Sequence, residues 1–290
     1  MKIDTHQHFW HFEPQDYPWI SEDMPILRRH QSPADSRPCM DACGVLGVMA
    51  VQARCSAQET DCLLDLAASQ PHILGVIGWT NLTSATLQAD LARWGGQEKL
   101  KGFRHLLQDE PDLGALIANP AFNDGVACLQ RQQLVYEVLV LQHQLPMVSD
   151  FCARHDQHAL VLDHVGKPAI RDWQQNPESR RQWTNYLMKL ARLPHVSCKL
   201  SGLVTETDWS HQDEPSVADL RQIEQCFDLA LEVFGPGRLM FGSDWPVCQL
   251  ATNYQAVYAI AQSWAESRLD RHEQQAFWGA NAVRIYGLTI

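Results

Sequence analysis

Apolar runs of strand length recur along the chain at Ile3 to His8, Gly44 to Ala53, Ile73 to Leu82, Leu100 to Leu107, Leu134 to Leu141, Ala159 to His164, Val196 to Leu203 and Arg238 to Asp244. Segments with helical spacing and recognisable ends lie between them. Ser56 with Glu59 predicts a capping box ahead of Leu63, Leu64 and Leu66, with Pro71 beyond the helix. Leu87, Leu91 and Trp94 form an apolar stripe that stops at Gly95-Gly96. Ser216 predicts the cap of a helix whose stripe runs through Leu220, Ile223, Phe227 and Leu231 to a Gly235-Pro236 stop, and Asp270 with Glu273 repeats the capping pattern. Eight strands alternating with helices predict an α/β fold, a (β/α)8 TIM barrel, because parallel strands need crossover helices of nearly fixed hand.

Length and composition agree: 290 residues, 45% hydrophobic and 20% charged, suit one barrel of about 250 residues with short extensions. No repeat, low-complexity tract or Pro/Gly-rich linker marks a second domain, so residues 1–290 read as one. Residues 9–38, with Trp10, Tyr17, Pro18 and Trp19, are too long for an ordinary strand-to-helix loop and form a rim insertion, read as a lid, a substrate wall or a packing apron. Asp208 to Pro215 is a second candidate rim loop. A net charge of -11 argues against nucleic acid or an anionic membrane as partner. No apolar stretch is long enough to span a bilayer and no signal peptide precedes the first strand, so a cytoplasmic protein is expected. Nine scattered cysteines without Cys-x-x-Cys spacing agree with this, and Cys39 and Cys43 read as small buried thiols on a helix.

Candidate chemistry collects at strand ends. His6 and His8 project from the same face of one strand and can converge on one metal ion or one substrate atom. The runs ending at His164 and Asp244 have the same form, so three strands from opposite ends of the chain finish in His, His and Asp. In a parallel barrel the carboxyl ends of all strands share one rim, where catalytic groups gather.

Asp4-Thr5-His6-Gln7-His8-Phe9-Trp10, Tyr17-Pro18-Trp19-Ile20, Gly102-Phe103-Arg104-His105, Leu162-Asp163-His164-Val165-Gly166-Lys167-Pro168, Lys199-Leu200-Ser201-Gly202 and Phe241-Gly242-Ser243-Asp244-Trp245-Pro246 together resemble the amidohydrolase superfamily, and more closely its lactonase branch. The similarity runs through essentially the whole chain, to Trp278-Gly279-Ala280-Asn281-Ala282. It implies a distorted barrel of the metal-dependent-hydrolase type that opens a sugar-acid lactone, of the L-fucono or L-rhamnono kind, to the hydroxy acid. A pyrone-dicarboxylate lactonase and a decarboxylase share the fold, and a non-catalytic sugar-binding barrel is the alternative of another class.

The resemblance assigns catalysis to His6, His8, His164 and Asp244, with Asp244 as general base toward water, and makes the same four the ligands of at most one divalent ion, zinc first. An aspartate is a feeble base at neutral pH and needs help, from a metal or from hydrogen bonds in a dry pocket. Binuclear relatives carry a carbamylated lysine at the end of the fourth strand. Here that end is Arg104-His105, Lys101 sits too early, and the fifth strand offers Tyr136-Glu137 where many relatives place a histidine. Some lactonases of the branch work without metal, and the sequence leaves open whether this one does. Arg104, His105 and Lys199 are the candidate donors to the carbonyl oxygen. Lys199, costly to bury alone, is expected to face the site beside Asp244 or Glu137. Lys167 is read as a substrate contact or a solvated loop lysine, and Trp19, Trp79 and Trp245 as flat surfaces for a sugar ring. His11 reads as a surface residue. The expected partner is a small-molecule lactone, and the sequence does not fix whether copies form an oligomer.

Overall fold

The apolar runs form one all-parallel sheet, its strands adjacent in chain order: β1 (Lys2–Gln7), β2 (Val45–Val51), β3 (Ile73–Gly78), β4 (Leu100–His105), β5 (Val135–Val138), β6 (Leu160–Leu162), β7 (Val196–Leu200) and β8 (Leu239–Phe241). The computed structural model describes residues 1–209 and 215–290. Each strand stops at or before its expected end, because the last residues of each run turn outward into rim loops. The seam between β8 and β1 is not a regular ladder, and this is where the barrel is distorted. A bridge from Gln7 to Trp245 holds it, with Thr5 Oγ1 donating to Phe241 O (2.7 Å), Asp244 N to His6 O (2.9 Å) and His8 N to Trp245 O (2.8 Å).

The α-helices among the described residues are α1 (Pro33–Ala42), α2 (Ala57–Ser69), α3 (Leu87–Arg93), α4 (Leu113–Ala118), α5 (Pro120–Arg131), α6 (Leu145–Arg154), α7 (Pro177–Ala191), α8 (Val217–Phe234), α9 (Tyr254–Arg268), α10 (Arg271–Gln275) and α11 (Asn281–Tyr286), with short single-turn helices between several elements. Most surround the barrel and pack on its outer face, where Leu63, Leu91, Trp183, Ile223 and Phe227 join one continuous core. The capping boxes at Ser216/Asp219 and Asp270/Glu273 form. The box at Ser56 does not. Ser56 caps α2 by accepting from Gln58 N, but Glu59 turns away and accepts from Ala53 N and Arg54 N, each at 2.7 Å. Two amides of the β2–α2 loop, one buried and one half-buried, outweigh the one N–H that a capping box would satisfy.

Inside the barrel, Ile3, Met49, Ile77, Val135, Val161 and Met240 form an apolar layer, closed by Ala282, Ile285 and Tyr286. Ile3 and His6 both point inward although three residues apart, which an unbroken period of two forbids. The register slip between Asp4 and Gln7 supplies the irregularity. The irregular part of the rim insertion ends at Ser32, and Pro38 lies within α1. Trp10 pairs with Gln31, and Trp10, Tyr17, Ile20 and Leu27 pack on Ala53. Most of the loop expected over Asp208 to Pro215 lies outside the described residues. Cys39 and Cys43 are half-buried rather than buried, all nine cysteines are free, and among the described residues no helix is long and apolar enough to cross a membrane.

Replacing Glu59 by Ala leaves the buried Ala53 amide and the half-buried Arg54 amide unpaired. We expect Glu59→Ala to lower unfolding free energy by about 2–4 kcal/mol, read from the urea midpoint at constant slope.

Candidate active site

Four side chains from three strand ends meet at the mouth of the barrel. His8 Nε2, His6 Nε2 and His164 Nε2 lie 3.4, 3.7 and 4.0 Å from one atom, Asp244 Oδ1. Local backbone aims them. Asp244 and His164 adopt φ of +59° and +52°, a left-handed conformation uncommon for residues with a side chain and frequent at functional sites. Gly202, at φ +66°, lets the His164 ring lie against the chain, since a Cβ there would stand 2.5 Å from His164 Nδ1. Asp4 ties β1 to the loop after β8, accepting from Ser243 N (2.8 Å), His6 N (3.1 Å) and Gln7 Nε2 (2.7 Å).

Each imidazole is held from behind. His8 Nδ1 donates to Val51 O (2.8 Å), which turns its Nε2 toward Asp244, and His164 Nδ1 pairs with Ser201 Oγ (2.9 Å). Arg104 Nη1 donates to His6 Nε2 (3.1 Å), and His6 Nδ1 faces Asp163 Oδ1 at 3.5 Å and Lys199 Nζ at 3.2 Å. Burial lowers His164 to about 4, and burial with the Lys199 charge holds His6 well below its ordinary value, so both rings are neutral. Burial alone would raise the Asp244 carboxyl, but His164, His8 and His6 outweigh it and keep it ionised.

Beneath these groups lies an ionic layer. Lys199 Nζ, fully enclosed, donates to Glu137 Oε1 (2.6 Å), with Asp163 Oδ1 and His6 Nδ1 each at 3.2 Å. Arg104 Nη1 also donates to Asp163 Oδ2 (2.9 Å), and Arg104 Nη2 donates to Gln52 O and to Gln52 Oε1. Tyr286 Oη donates to Glu137 Oε1 (2.6 Å), linking α11 to the same layer. Burial pushes Glu137 up to about 7, whereas Lys199, His6 and Arg104 overcome the burial of Asp163 and hold it low.

A cavity of about 530 Å³ opens above, lined among others by His8, Arg104, His164, Lys167, Asp244 and Trp19. Four residues expected at its wall stand elsewhere. Lys199 points inward but one layer too deep, and it pairs with Glu137 and Asp163, not with Asp244. His105 turns to Glu110 (2.5 Å) and accepts from Trp79 Nε1 (3.1 Å), which takes both residues away from the mouth. Trp245 is buried against Phe9. His11 is exposed and stacks on His30. Lys101 bonds Gly287 O, and so lies far from the rim. Sequence reasoning missed Asp163, whose place before His164 at a strand end was a usable signal. It also missed Gln108, Arg171, Glu206 and Trp209 of the wall, the first three on single 3-10 turns too short to show a periodicity.

The amidohydrolase profile matches residues 3–288. The chain belongs to the amidohydrolase family. It is 50% identical over 288 residues to the L-fucono-1,5-lactonase of Burkholderia multivorans (strain ATCC 17616 / 249), covering 99% of this chain and 96% of that protein. It is 31% identical to the L-fucono-1,5-lactonase of Burkholderia ambifaria, covering 98% and 95%. The crystal structure of an amidohydrolase from Burkholderia multivorans with bound zinc matches at a TM-score of 0.95 and 49% identity, covering 100% of both chains.

The donor set of this amidohydrolase fits such an ion. His6, His8 and Asp244 bring two imidazole nitrogens and a carboxylate oxygen within 4.8 Å of one another, all buried. Tetrahedral zinc bonds of about 2.0–2.1 Å put donor atoms ~3.4 Å apart, close to the separations seen. Arg104 competes with the ion, because His6 Nε2 must give up its contact with Arg104 Nη1 to bind a metal.

The neutral His164 makes the fold acid-sensitive. Its proton is bound more tightly in the unfolded chain, at 6.5, than in the folded one, at about 4. Its contribution is therefore complete above pH 6.5 and fades as pH falls toward 4, by about 3 kcal/mol. Glu59 and Glu137, raised to about 7, act oppositely between pH 4.5 and 7, so the effect is isolated by comparison. Stability between pH 4 and 7 is expected to depend less steeply on acid in His164→Asn than in the parent protein, measured by denaturant titration at each pH.

Proposed function

We propose that this amidohydrolase hydrolyses a sugar-acid lactone to its open-chain hydroxy acid, with Asp244 as the base toward water. One observation carries the choice of substrate: the 50% identity, over 99% of the chain, to an L-fucono-1,5-lactonase. The cavity supports it, offering the flat face of Trp19, fixed by its Nε1 donating to Ala53 O (2.8 Å), together with Gln108, Lys167 and Thr205 as hydrogen-bonding groups for a polyhydroxylated ring.

Asp244 accepts a proton from the attacking water as the water oxygen bonds to the lactone carbonyl carbon. Arg104 is on the cavity lining and is our candidate donor to the carbonyl oxygen as charge grows there. Collapse breaks the acyl bond to the ring oxygen, which takes the proton back from Asp244 and leaves as a hydroxyl. His164 borders Asp244 and holds it ionised; His6 and His8 do the same and would, with Asp244, hold a divalent ion. Such an ion would supply Lewis acidity toward water or the ester carbonyl. Since the histidines hold Asp244 low, it is a weak base by itself, and the surroundings must make the water more acidic. We assign the rim insertion a fixed wall rather than a lid, supported by the Trp10–Gln31 pairing and the Trp19 anchor. Nine free cysteines support a cytoplasmic setting.

A pH-indicator assay with L-fucono-, L-rhamnono-, D-galactono- and D-arabinono-lactones tests this reading. Acid release is expected, reduced about 10²–10⁴-fold in Asp244→Asn with the fold retained. Ligand binding without turnover would instead support a sugar-binding barrel, and carbon dioxide release a decarboxylase. Assay before and after chelation is expected to show that activity follows the content of one divalent ion.

A further inference from the structure

Among the described residues, the arginines and lysine lining the cavity are each matched. Arg104 pairs with Asp163 at 2.9 Å. Arg171 donates to the carbonyls of Thr205 (2.5 Å) and Thr207 (2.6 Å), with Asp208 at 3.7 Å. Lys167 donates to Gln108 Oε1 (3.1 Å) and faces Glu206 Oε1 at 3.8 Å. Of these three matching acids, only Glu206 belongs to the cavity wall itself. The Lys167 and Glu206 side chains keep 23% and 20% exposure, so both reach open cavity space. At 3.8 Å the ammonium lies beyond hydrogen-bond distance, and the Glu206 carboxylate keeps its capacity to accept from a ligand.

We propose that Glu206 determines specificity: by cancelling the Lys167 charge and accepting hydroxyl hydrogens, it selects neutral polyhydroxylated lactones and excludes lactones that carry a second carboxylate. This rests on the lactonase reading and deepens it. A hydroxyl donating to a carboxylate makes a charge-assisted hydrogen bond. A ligand carboxylate at the same place meets Glu206, with Asp109 and Asp244 also on the wall, and finds no unmatched arginine or lysine among the described residues to receive it. Removing the Glu206 charge alone leaves Lys167 uncompensated and turns this wall into an anion site.

The test uses the full-length protein, L-fucono-1,5-lactone as neutral substrate and D-glucaro-1,4-lactone as a carboxylate-bearing competitor. In Glu206→Gln the inhibition constant of the anionic lactone is expected to fall about tenfold while kcat/KM for the neutral lactone drops. In Lys167→Met, which reads the same balance from the other side, the anionic lactone is expected to inhibit more weakly than in the parent protein. If the parent protein turns over L-fucono-1,5-lactone but both variants leave the inhibition constant within about twofold, the inference fails and the lactonase reading stands. If the parent protein opens no lactone at all, both fail together.

Discussion

An ammonium group sealed in the middle of the barrel is the constraint on which the site depends. Lys199 is fully enclosed, and an isolated buried charge is far too costly to persist. It is tolerated because Glu137 and Asp163 meet it at 2.6 and 3.2 Å, and Arg104 balances the second carboxylate. Removing one partner from such a set typically costs about 3–5 kcal/mol, so the layer has little freedom to rearrange. His6 sits directly on it. The ring is therefore neutral and held in place from both sides before any ligand arrives.

Above that layer the geometry follows from short strands and a few strained residues. The slip in β1 turns His6 inward, the left-handed backbones of His164 and Asp244 bring their side chains over the mouth, and Gly202 makes room for the imidazole. The result is a carboxylate kept ionised by three surrounding rings, with a matched set of charges lining the cavity outside. The ion pairs of Lys199 and Arg104 with Glu137 and Asp163 tie this layer together, although Arg104 Nε and Glu137 Oε2 have no hydrogen-bond partner among the described residues.

Much of this is legible in the chain, for physical reasons. Eight strands announce themselves as apolar runs, and His8, His164 and Asp244 stand out because each follows such a run at the point where a parallel barrel opens. Depth is not legible in the same way. Lys199 faces inward as its strand implies, but whether an inward residue lies at the rim or a layer below depends on how far neighbouring strands are staggered. His105 and Trp79 fail for a related reason: they sit where strands leave the sheet, and alternation no longer says which way a side chain points. Glu59 reads as a capping residue until the unpaired amides of the preceding loop are seen. Glu206 carries no signal, because it sits on a single 3-10 turn too short to show a periodicity.

The most direct test of the convergence is a crystal structure of the zinc-loaded protein with anomalous data at the zinc edge. One peak is expected, in contact with His6 Nε2, His8 Nε2 and Asp244, with Lys199 still enclosed between Glu137 and Asp163. Zinc bound away from these residues, or His6 turned from Asp244 toward another partner, would contradict the account.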